Sequence, residues 1–129
     1  MYGFNIELDD TFDNAVRRVT EALKSEGFGV LTEIDVQATM KAKLNIDSRP
    51  YRILGACNPP LAHRAISADP DIGLLLPCNV VVREQSNGKI NVGFMDPIAV
   101  LKLTENPGIA EVAKEVRGKL ERVRDRLKG

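Results

Sequence analysis

Two cysteines and a single histidine are the residues of this 129-residue sequence whose types most readily do chemistry, and they stand among asparagines, aspartates and prolines. They fall in Cys57-Asn58-Pro59, His63, Pro77-Cys78-Asn79 and Asp96-Pro97. Cys57 ends an apolar run and directly precedes a proline-started helix, where the positive end of the helix dipole favours a thiolate. Cys57 and Cys78 together could cycle between thiols and a disulfide, or act with His63 as a nucleophile pair, if the fold brings them together. As metal ligands, Cys57, His63 and Cys78 are weak candidates. They lack the close Cys-x-x-Cys or His-x-x-x-His spacing of zinc sites, so no metal is expected. The binding or reactive candidates are therefore Cys57, Asn58, His63, Cys78, Asn79 and Asp96. Each also has an ordinary reading: free cysteine is among the most buried residue types, asparagine commonly caps backbone, and a lone histidine has no partner of its kind.

Composition narrows the uses of such a site. Eighteen basic residues balance eighteen acidic ones, which removes the electrostatic footprint of a dedicated nucleic-acid binder. No tryptophan and 5% aromatics leave little for base stacking. No apolar run approaches the roughly 20 residues of a membrane-spanning helix, and the start lacks the pattern of a secretion signal. A cytoplasmic, single-domain protein spanning 1–129 is expected, with reduced thiols. Gly27-Phe28-Gly29 follows a helix rather than a strand, so it is no dinucleotide fingerprint. The residues name no cofactor and no catalytic group.

The elements that must position the candidates follow from periodicity. Tyr2 to Leu8 alternates as a half-buried strand. Asp9-Asp10-Thr11 caps a helix carrying Phe12, Ala15, Val16, Val19, Ala22 and Leu23 on one stripe; Gly27 ends it and Phe28 folds back. Gly29 to Ile34 is a second strand, expected beside the first. Asp35 caps a short amphipathic helix with Val36, Met40 and Leu44 on its apolar side. A third strand runs from Tyr51 to Cys57, and Asn58-Pro59 opens a helix whose buried side is Leu61, Ala62, Ala65 and Ile66. Ile72 to Leu76 is apolar, and after Pro77 a strand continues from Cys78 to Glu84, with Pro77 marking a bulge or sheet edge.

Ser86-Asn87-Gly88 makes a hairpin. A three-residue loop with Gly88 left-handed sets Val80 opposite Phe94, Val82 opposite Val92 and Arg83 opposite Asn91, and directs Cys78 toward Asp96. Asp96-Pro97 starts a short helix. Asn106-Pro107 starts a long one, with Ile109, Val112, Ala113, Val116, Leu120, Val123 and Leu127 on one stripe. The fold class is α+β: a mainly antiparallel sheet of about five strands covered by two longer helices. Its exposed edge makes a homodimer the expected partner state.

Gly55-Ala56-Cys57-Asn58-Pro59, Leu61-Ala62, Leu76-Pro77-Cys78-Asn79-Val80-Val81-Val82-Arg83-Glu84 and Met95-Asp96-Pro97 resemble the prokaryotic family catalogued as domain of unknown function 302. The resemblance covers nearly the whole chain. It implies an architecture related to the TATA-binding-protein-like group and brings no assigned activity or catalytic residues. Shared architecture is not evidence of DNA binding. Two functions stay open: a homodimeric binding module holding a small ligand or partner near the Cys-Asn-Pro and Pro-Cys-Asn segments, or a thiol-dependent redox or metal-handling protein using Cys57 and Cys78.

Overall fold

Alternation along the strands, cleanest in residues 78–84 and 90–95, sorts their side chains onto one covered and one open sheet face. Leu54 and Ala56, Cys78, Val80 and Val82, and Ile90, Val92 and Phe94 are all buried, whereas Asn79, Val81, Arg83, Asn91 and Gly93 between them are not. The computed structural model describes residues 1–128. Its elements are β1 (Gly3–Leu8), α1 (Phe12–Ser25), β2 (Gly29–Asp35), α2 (Val36–Leu44), β3 (Tyr51–Cys57), α3 (Pro59–Ala68), a 3-10 segment (Pro70–Leu75), β4 (Cys78–Glu84), β5 (Ile90–Met95), α4 (Pro97–Leu101) and α5 (Pro107–Lys128). The five strands form one antiparallel sheet in the order β1-β5-β4-β3-β2, an α+β architecture.

The two long helices cover one face. Every residue of the expected α5 stripe is buried, as are Ala15, Val19, Ala22 and Leu23 of α1. Burying a Val, Leu or Phe side chain contributes about 1.5–3 kcal/mol, so this layer dominates the fold's stability. The exit of α1 has the expected geometry. Gly27 takes φ +84°, its N–H reaches the Lys24 carbonyl at 3.0 Å, and the Phe28 N–H reaches Leu23 at 3.0 Å, a Schellman closure with Phe28 buried.

The hairpin has its three-residue loop. Gly88 is left-handed at φ +85°, the Gln85 N–H bonds to the Lys89 carbonyl at 2.8 Å, and the pairs Val80 with Phe94, Val82 with Val92 and Arg83 with Asn91 all form.

Four local expectations are corrected. β2 does not lie beside β1; the two occupy opposite edges. A strand-helix-strand unit makes its strands parallel, and here the gap between them is filled by β5, β4 and β3, so that every pairing in the sheet is antiparallel. Ile72–Leu76 is not strand. Asp69 accepts the Asp71 N–H at 3.1 Å and Pro70 fixes the next φ, which winds the apolar run into the 3-10 segment. Pro77 lies just before the central strand β4 after a cis Leu76-Pro77 peptide, and the sheet's bulge falls instead between Val30 and Thr32 of β2. Finally, α2 forms where Asp35 caps it but buries no residue, so its Val36, Met40 and Leu44 stripe has no core to meet.

Candidate functional site

β3 and β4 are neighbours, with Ala56 directly opposite Cys78, so Cys57 and Cys78 come together at one end of the sheet. Both thiols are free. They line a recess of about 320 Å³ roofed by Leu61, Ala62 and Ile66 of α3, bounded by Leu76 and Pro77, and backed by Val112 and Val116 of α5. No charged side chain lines it. Its location follows from local sequence. Pro59 and Pro60 can open α3 immediately after β3, and the 3-10 segment returns the chain to β4 across the same end of the sheet.

Cys78 is 6% exposed. Burial first, and the neighbouring Cys57 second, push its thiol from the ordinary 9.0 up to about 12. Such a thiol is protonated and poorly nucleophilic at neutral pH. Cys57 is half-buried at the strand end.

Asn58 borders the recess as a structural staple. Its Oδ1 accepts the Leu61 N–H at 3.4 Å, capping α3, while its Nδ2 donates to the Glu26 carbonyl at 3.2 Å, satisfying the end of α1. A Cβ on Gly27 would stand 3.0 Å from that same Nδ2, so only glycine fits beside it without displacement. Glu26 in turn pairs with Arg122 of α5 at 2.8 Å, which ties three helices to the site's rim.

The remaining candidates are dispersed. His63 is exposed on α3, beside Arg64, which pairs with Glu115 at 2.8 Å. Asn79 belongs to the open sheet face and lines a different concavity. Asp96 is not directed at Cys78: its Oδ1 accepts the Ile98 N–H at 2.9 Å to cap α4, and its Oδ2 meets Arg117 at 2.6 Å. Burial works against the Arg117 charge, but Asp96 and then Glu121 more than offset it and raise its pKa. That guanidinium also lies 4.4 Å from the Phe4 ring centre, a position suited to cation–π attraction. Among the described residues, no three His, Cys, Asp or Glu side chains converge as a metal site. The weak set of Cys57, His63 and Cys78 therefore has no common centre.

What local patterns missed is the recess's apolar wall from α4 and α5, supplied by Leu101, Val112 and Val116. The α5 stripe marks Val112 and Val116 as core, and no local pattern singles out Leu101. Nothing local shows that the core stops short of filling this end.

The raised Cys78 pKa fixes the sign of a pH effect. A folded thiol that holds its proton above the unfolded value contributes stability that is complete below about pH 9 and is lost as pH rises toward about 12. At full ionisation the loss is at most about 4 kcal/mol. Urea unfolding from pH 8 to 11 is expected to give a steeper fall in stability for the native sequence than for Cys78→Ala; equal slopes would place Cys78 in a solvated setting.

The family model described as "Domain of unknown function DUF302" matches residues 4–127. A crystal structure of an uncharacterized conserved DUF302 protein from Bacillus stearothermophilus superposes with a TM-score of 0.90, at 30% identity and 98% coverage of both chains. Among curated proteins, none matches the chain.

Proposed function

We propose that this chain, which belongs to the family described as domain of unknown function DUF302, is a binding module for a small, uncharged, apolar ligand held in the recess beside Cys57 and Cys78. The observation that carries this reading is a volume of about 320 Å³ with no charged side chain on its wall, within the usual size range of small-molecule sites. Cys57 offers the polar contact at its mouth, and Asn58 beside it holds the rim. A thiol redox role for the same pair has less support, since burial keeps Cys78 protonated and leaves only Cys57 part-exposed.

Binding of a neutral fluorescent apolar probe tests it. The native protein is expected to bind with single-site saturation, and the bound probe to slow alkylation of Cys57. Ala62→Phe, which places a ring in the recess, should weaken binding at least about tenfold with the fold intact. Unchanged probe affinity in that variant contradicts the reading.

The same proposal includes a homodimer through the β2 edge. β2 leaves one side of its backbone unpaired, and Leu31, Ile34, Leu44 and Ile46 are all exposed along β2, α2 and the turn after it. An antiparallel pairing of β2 with a second copy continues the sheet and covers these side chains. Sedimentation should give a dimer that Ile34→Lys with Leu44→Lys converts to monomer; a native monomer at every concentration contradicts it.

A further inference from the structure

The structure's other large concavity lies on the open face of the sheet. It measures about 610 Å³, and its floor includes Tyr51 of β3, Asn79, Val81 and Arg83 of β4, and Asn91 and Gly93 of β5. Tyr51, Arg83 and Asn91 are consecutive cross-strand partners, so they form one row across the sheet, and Asn79 stands on the same face farther along β4.

Arg83 is the unusual member. Arg18, Arg52, Arg117 and Arg124 are also half-buried, and each has a carboxylate within 3.2 Å. Arg83 has neither an ion pair nor a hydrogen bond among the described residues, and the same holds for the Tyr51 hydroxyl and the Asn79 amide. Neighbouring polar groups are occupied. Asn5 donates to Asn91 at 2.7 Å, Asn91 to Gln85 at 3.1 Å, and Gln85 to Glu7 at 2.7 Å. Glu7 is also within 3.5 Å of Lys89, and it lies two strands from Arg83, about 10 Å away at ordinary strand spacing. The one carboxylate in that row is thus engaged elsewhere.

A Cβ on Gly93 would come within 2.9 Å of the Asn5 amide nitrogen, and one on Gly3 within 2.8 Å of the Phe94 carbonyl oxygen. The Asn5 side chain therefore lies across Gly93, and Val81 and Met95 present the apolar surface of the floor.

We infer that this face is a second binding site, for a small organic oxyanion: a carboxylate or phosphate on an apolar body, gripped by Arg83 with its cross-strand partner Tyr51. The guanidinium fork matches both oxyanions bidentately, and the Tyr51 hydroxyl adds a donor at the side. The apolar body rests over Val81. This site is independent of the recess: its walls share no residue with it.

Nitrogen-detected NMR of the Arg83 side chain, titrated with benzoate, phenyl phosphate and inorganic phosphate at low salt, tests the inference. Benzoate or phenyl phosphate is expected to shift the Arg83 signal with saturation below about 10 mM, and the better of the two identifies the oxyanion. Inorganic phosphate should bind more weakly than phenyl phosphate because it lacks the apolar body. Arg83→Gln should weaken binding at least about tenfold, and Arg83→Lys should fall between, since it keeps the charge without the fork. Unaltered affinity in Arg83→Gln, or no shift at Arg83 with any probe, overturns the site. An Arg83 signal that responds to protein concentration instead of to the anions also overturns it, by making this face an interface between copies.

Discussion

One apolar layer, closed on one side only, is the constraint on which the rest depends. Val80, Val82, Val92 and Phe94 from the centre of the sheet meet Val19 and Leu23 of α1 and Ile109, Leu120 and Val123 of α5, all with essentially no exposure. Because successive strand residues alternate in direction, committing these to the core fixes what the other face shows. Asn79, Val81, Arg83, Asn91 and Gly93 must then point away from the helices. The open concavity is a geometric consequence of the core's register, and a slip of one residue in β4 would bury Arg83.

The same layer explains the recess. α5 runs along the sheet, but at the Cys57 end the covering is completed by short pieces: α3, the 3-10 segment and α4. Short elements joined by prolines leave a gap that continuous helices would fill. Asn58 holds this patchwork in place by serving α1 and α3 at once. Arg117 does similar work at another corner, linking α5 to Asp96 at the start of α4 and to the Phe4 ring on β1. Two of the polar residues that first look chemical, Asn58 and Asp96, are thus consumed by positioning backbone.

Much of this is legible in the sequence. The α5 stripe, the Gly27 exit and the hairpin register are local patterns with a single good solution, and each formed as expected. Strand order was not legible, because a strand-helix-strand unit has the same local pattern whether its strands are adjacent or separated by three others. Ile72–Leu76 misled for a related reason: a short apolar run suits either a strand or a tight helical segment, and Asp69-Pro70 decided the matter. At the candidate site, the pairing of Cys57 and Cys78 depended on β3 and β4 being neighbours, which only the fold supplies. The isolation of Arg83 was hidden too, since the absence of an ion pair is a property of the whole surface.

Counting reactive thiols in the native protein tests most directly whether the recess is an apolar binding site or a thiol centre. One equivalent of a neutral alkylating reagent per chain is expected to react near neutral pH, at Cys57, with Cys78 silent until the protein unfolds. Two equivalents reacting together, or reversible formation of a Cys57–Cys78 disulfide under mild oxidation, would contradict the account and make the pair the working part of the molecule.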